Sequence, residues 1–156
     1  MTTRKPAAAE LVAALNREQA NALVMYLNYK KYHWSTYGPH FRDIHHLFDE
    51  QAAATLDMID EFAERAYTID GKSILDPADY LRHATVRSSS GDLAMRAMVE
   101  EAVACLDTIV AEMHTDTEAA AHAGDIGTAD LYTRLVQVHQ KNRWFLREIL
   151  LSGDGF

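Results

Sequence analysis

Glycine and proline punctuate this chain at few places, and the spacing of that punctuation constrains the fold more than any other feature. Gly38-Pro39, Gly71, Pro77, Gly91, Gly124 and Gly127 separate long stretches rich in Ala, Leu, Met and Glu, and "SGDGF" closes the 156 residues. Such stretches carry no interior helix breaker and no strand-like alternation. They predict four long helices, at about 6–36, 41–68, 92–123 and 128–151. Pro6 suits an early helical position, Asp92 and Thr128 suit N-caps, and Gly124 suits a C-terminal stop. The opening "MTTRKPAAAELVAAL" resembles a secretion leader, but Glu10 interrupts its apolar part and it reads as a helix start.

The links between helices set the topology. The first and third are short, so helices one and two are expected to be antiparallel neighbours, as are three and four. The middle link, about 69–91, is too long for a structureless loop. Within it "DPADYLRHA" reads as a short helix, with Asp76 as N-cap and Pro77 at its first position. The expected fold is therefore all-α: a single domain over 1–156, a ferritin-like four-helix bundle whose long crossover between helices two and three carries a short extra helix. The first helix is apolar on two sides, with Leu11, Leu15, Ala22, Tyr26 and Tyr29 on one and Val12, Leu23 and Leu27 on the other. A lone bundle needs one such stripe, so the excess points to a second subunit.

Composition narrows the function. Apolar residues make up 48% and charged residues 24%, and no apolar run approaches the ~18 residues of a membrane span. A net charge of −8 argues against gripping DNA with the body of the protein and suits a protein that attracts cations. Cys105 is the only cysteine, which rules out an intrachain disulfide and suits a reducing cytoplasm.

Four of the eight histidines fall in "HWSTYGPHFRDIHHLFDE", residues 33–50. On the second helix His45 and Asp49 are spaced i,i+4, and so are Asp60 and Glu64, and all four share one face. Asp49 and Asp60 nevertheless lie roughly 16 Å apart along the axis, too far for one metal ion. A second, antiparallel copy of the helix, crossing near residues 54 and 55, brings Asp49 of one chain opposite Asp60 of the other. The small residues of "QAAAT", 51–55, permit that approach. His33, returned by the Gly38-Pro39 turn, completes two imidazoles and three carboxylates, a set suited to Fe(II) or Zn(II). No Glu has a His three residues on, so the usual in-bundle di-iron motif is absent.

The chain resembles the Dps family of mini-ferritins (DNA-binding proteins from starved cells) over nearly its whole length. One motif is His33-Trp34, Gly38, His45 and Asp49; the other is "IDEFAER", residues 59–65. Two non-ligand positions depart from the family pattern: Thr36 occupies a usually aliphatic position, and Ile44 stands where Leu or Val is commoner. The resemblance implies a ferroxidase centre at a dimer interface, with His33, His45 and Asp49 from one subunit and Asp60 and Glu64 from its partner. It also implies a hollow dodecamer, built from two-fold dimers, that oxidises Fe(II), with hydrogen peroxide in preference to oxygen, and stores the ferric product. It places Trp34 beside the centre to intercept stray oxidising equivalents, and Asp125 and Asp130 at three-fold pores, where helix capping is the plainer reading.

Other residues read more plainly. His46 points about 100° away from His45, His40 is a turn residue, and His83, His114, His122 and His139 show no convincing partner spacing. Cys105, Trp144 and the methionines are expected in the core. DNA binding is expected to be weak or absent, since Arg4 and Lys5 alone precede the first helix as basic residues and "SGDGF" is acidic. The location expected is cytoplasmic or nucleoid-associated. Two rival readings remain: a nucleoid-compacting DNA binder with secondary iron chemistry, and a structural shell holding static Zn(II).

Overall fold

The computed structural model of the chain describes residues 8–153. In chain order the helices are α1 (Ala8–Ser35), α2 (Phe41–Thr68), a 3-10 turn (Pro77–Asp79) running into the one-turn α3 (Tyr80–His83), α4 (Met95–Ala123) and α5 (Ile126–Leu150). The pairs α1–α2 and α4–α5 are hairpins, and the crossover between α2 and α4 carries α3. This is the ferritin-like four-helix bundle that the punctuation predicts.

Local chemistry explains most boundaries. Asp76 accepts from the Ala78 amide at 2.9 Å, with Pro77 at the first helical position. Gly124 ends α4 at φ +79°, a left-handed conformation that suits glycine, and its N–H bonds the Ala121 carbonyl at 3.0 Å. Two starts differ from expectation. Helix α4 begins at Met95 rather than 92, because Leu93 packs against the core from a chain still extended at Ala94. Helix α5 is capped by Asp125, and Thr128 stands inside its first turn. The Asp125 carboxylate accepts from the Thr128 amide at 3.1 Å and from its hydroxyl at 2.6 Å. Pro6 lies outside the described residues.

The core is built from fully buried Leu15, Met25, Tyr29, Phe48, Met58, Phe62, Leu106, Ile109 and Met113. Each such side chain contributes roughly 1.5–3 kcal/mol of burial. Cys105 is in the core as expected. Trp144 is not: it is 57% exposed, and its indole N–H bonds Glu148 one helical turn on, at 3.0 Å.

The crossover is irregular, yet its backbone polar groups are met by a row of amide side chains on α1. Asn16 donates to the Lys72 carbonyl (3.0 Å), and Gln19 accepts from the Ile74 amide (3.3 Å) and donates to the Tyr80 hydroxyl (2.7 Å). Asn21 accepts from the Thr85 and Val86 amides at 2.8 and 3.2 Å. Asn28 donates to the Arg87 carbonyl and accepts from the Ser89 amide, both at 2.8 Å. Gly71 crosses α1 so closely that an added Cβ would lie 2.3 Å from Val12. Replacing Asn28 by Ala removes the partner of the part-buried Ser89 amide and Arg87 carbonyl, at a cost on the order of 1–2 kcal/mol. Urea unfolding checks this, and an unchanged midpoint would show that the seam is dispensable.

Candidate metal centre

The turn between α1 and α2 is held by Gly38, at φ +88°, with the Phe41 amide on its carbonyl at 3.0 Å. Behind it Tyr29 and Tyr32 pack on Phe48, with ring centroids 6.1 and 5.2 Å away. These contacts set the register of the two helices and so bring His33 against His45. The two imidazoles stack at 3.6 Å. Each ring directs Nδ1 at the other residue's backbone carbonyl, at 2.7 Å from His33 and 2.8 Å from His45. A carbonyl only accepts, so each Nδ1 carries the proton, and each Nε2 keeps a lone pair available to a metal ion. Thr36, one of the departures noted above, donates its hydroxyl to the same His33 carbonyl at 3.0 Å. Phe41 covers the other face of His45 at 4.9 Å. His46 meets His45 edge-on from an exposed position.

Asp49, one turn beyond His45, is exposed and bonded to the Lys30 ammonium at 2.6 Å. That hydrogen bond, reinforced by the charge of Lys30, holds the Asp49 carboxyl below the ordinary range. Lys30 also lies 5.7 Å from the Trp34 ring centre, and Trp34 is 72% exposed.

Asp60 and Glu64 stand exposed near the far end of α2, eleven and fifteen residues beyond Asp49 and so roughly 16 and 22 Å along the axis. One protomer brings His33 against His45, with Asp49 one turn on and held by Lys30, and leaves Asp60 and Glu64 far along the helix. Among the described residues of the single chain, no group of three or more His, Cys, Asp or Glu is placed to hold a metal ion. Around these donors the surface is unusually apolar, with Leu27 54% and Leu56 47% exposed beside the exposed Ala53. Two imidazole donors on one protomer, with exposed carboxylates along the same helix, are chemistry that fits iron.

The two acidic residues near the start of α5 differ from each other. Asp125 is occupied as the helix cap and as the partner of Arg65, whose Nη2 donates to it at 2.5 Å while Nε donates to Thr128 at 2.9 Å. These bonds, against the cost of burial, hold its carboxyl below the usual range. Asp130 is exposed, and its charge acts on Arg134 one turn on. Sequence reasoning missed a set of buried polar side chains on the core-facing side of the helices, among them Glu18, Asp116 and His139. Their helical spacing from buried Leu15, Met113 and Leu135 carried that information. Complete burial pushes His139 down to about 4.

Residues 12–153 match the ferritin-like domain family. The DNA protection during starvation protein 1 of Deinococcus radiodurans is 35% identical over 87% of this chain, which spans 66% of that protein's length. The X-ray structure of Dps from Thermosynechococcus elongatus is 61% identical and superposes with a TM-score of 0.93, over 95% of this chain and 94% of that one. The chain belongs to the Dps family of ferritin-like proteins. The Dps protein of Vibrio cholerae, described as a member of a broad superfamily of ferritin-like diiron-carboxylate proteins, is 28% identical with a TM-score of 0.87, over 92% of this chain and 91% of that one. None of the described helices is long and apolar enough to cross a membrane.

Proposed function

We propose that this Dps protein oxidises Fe(II) at sites shared between two subunits and stores the ferric product inside a homo-oligomeric shell, a dodecamer built from two-fold dimers. The observation that carries this reading is the exchange of hydrogen bonds between His33 and His45, which leaves both Nε2 atoms free beside Asp49. Antiparallel pairing of two α2 helices across Ala53 and Leu56 sets Asp60 and Glu64 of the partner subunit against that trio and covers the exposed apolar surface. Fe(II) entering the site replaces Lys30 as the counter-charge of Asp49. Three carboxylates stabilise Fe(III), the harder and more highly charged ion, more than Fe(II), which favours loss of the electron to hydrogen peroxide or oxygen. The same share of hard oxygen donors favours iron over Zn(II). Trp34, close to Lys30 and exposed in one protomer, is the residue oxidised in place of other molecules when an oxidising equivalent escapes.

His45→Ala and Asp60→Ala are each expected to lose nearly all fast iron oxidation. Dimers mixed from the two variants regain it, because one of their two sites then has every ligand intact. Stopped-flow oxidation with peroxide and with oxygen, on metal-stripped protein, measures this. Mixed dimers that form and remain inactive would overturn the shared site, and zinc retention without turnover would favour the static shell.

The net charge of −8 supports weak DNA binding at most. A gel shift at ~0.15 M salt and neutral pH is expected to show no stable complex, and a tight one would favour the nucleoid-compacting reading. For iron entry, Asp130 is the exposed carboxylate near the start of α5, whereas Asp125 is tied to Arg65. Asp130→Asn is expected to slow Fe(II) uptake at low ionic strength, with the deficit shrinking as salt screens the wild-type attraction. Equal uptake by variant and wild type at low salt would place the entry route elsewhere.

A further inference from the structure

One guanidinium, 26% exposed at the edge of the bundle, faces three carboxylates. Arg17 lies 3.1 Å from Glu18 and 3.5 Å from Glu112 through Nε, and its Nη2 is bonded to Asp116. The Glu18 side chain has no exposure, Asp116 has 9% and Glu112 has 24%. The same cluster anchors the crossover. The Asn21 side-chain amide bonds Glu112 at 3.1 Å and the Thr85 hydroxyl at 3.0 Å, and that hydroxyl donates to Glu112 at 2.8 Å. With all three acids ionised, a buried site would carry an excess of two negative charges. Asp116 has the tight bond to Arg17 and Glu112 reaches water, so Glu18, which has no exposure, is the acid for which ionisation is least compensated. Its Oε2 has only a 3.4 Å contact to Asn21.

We propose that Glu18 is held as the neutral acid in the folded protein, and that its ionisation is an alkaline trigger that loosens the crossover's anchor on α1 and α4. The groups that act on Glu18 are Arg17 and Asn21 from α1, Glu112 and Asp116 from α4, and Tyr132 from α5. No hydrogen bond or ion pair joins it to a side chain of α2 among the described residues. Tyr132 is buried with its hydroxyl unpartnered, so it offers no compensating charge.

Burial is the main cause that pushes the Glu18 carboxyl up from its ordinary 4.5 to about 8, against the attraction of Arg17 and with the repulsion of Glu112 and Asp116. The folded protein therefore holds a proton that the unfolded chain releases. The stability this contributes is full below about 4.5 and is lost as pH rises towards about 8. Ionised Glu18 also competes with Asp116 for Arg17 and repels Glu112, the group that holds Asn21 and Thr85.

Glu18→Gln keeps the shape and removes the titration. Full-length wild type and variant are compared by thermal unfolding and by hydrogen exchange at the Thr85 and Val86 amides, from about pH 5 to about pH 9. The expected result is similar melting at the acid end and a variant that melts several degrees higher at the alkaline end. Wild-type protection of the two amides falls above about pH 8 while that of the variant persists, once intrinsic exchange is corrected for. Parallel pH profiles, or a variant less stable at every pH, would overturn the proposal. Should the variant not fold, infrared difference spectra of the wild type decide it: a buried protonated-carboxyl band lost on the alkaline side supports the proposal, and its absence at neutral pH refutes it.

Discussion

Helix α1 has to satisfy three unlike neighbours at once, and the rest of the structure follows from how it does so. One side carries Leu15, Ala22, Met25 and Tyr29 into the core. A second carries Asn16, Gln19, Asn21 and Asn28, which take over the hydrogen bonds that the irregular crossover cannot make with itself. A third ends in Leu27, Lys30 and Trp34, which in one protomer border the candidate site. A helix that serves three surfaces has few residues that can change without affecting one of them.

The candidate centre inherits its order from this arrangement. Tyr29 and Tyr32, held against Phe48, set the register between α1 and α2, and that register places His33 on His45. Because each imidazole is bonded to backbone rather than to another mobile side chain, its tautomer and orientation are defined before any metal arrives. Asp49 is different: it lies on the surface and is paired with a cation that can be displaced. Rigid nitrogen donors beside a displaceable ion pair suit a site that must accept and release its substrate.

Much of the architecture was legible because helix breakers are local signals. Gly38, Gly124 and Asp76-Pro77 act through φ and capping geometry within a few residues, so their effects could be read from the chain alone. The start of α4 and the exposed Trp144 were not legible, because both depend on which apolar groups find space in the core. The spacing of His45, Asp49, Asp60 and Glu64 on one helix followed from its pitch. The role of Thr36 did not, since its hydroxyl matters only through the carbonyl it shares with His45.

The sequence by itself determined that the chain forms four long helices with one crossover, that His45, Asp49, Asp60 and Glu64 share one face of the second, and that its two pairs lie too far apart to meet within one helix. Periodicity and residue rise are properties of the helix itself and need no knowledge of its neighbours. Only the tertiary structure decided that Asp125 is tied to Arg65 while Asp130 stays exposed, that both histidines bond backbone through Nδ1, and that Glu18 and Asp116 share the guanidinium of Arg17. Each of those depends on which side chains from distant segments meet and how much water is excluded there, which residue spacing along one helix does not encode.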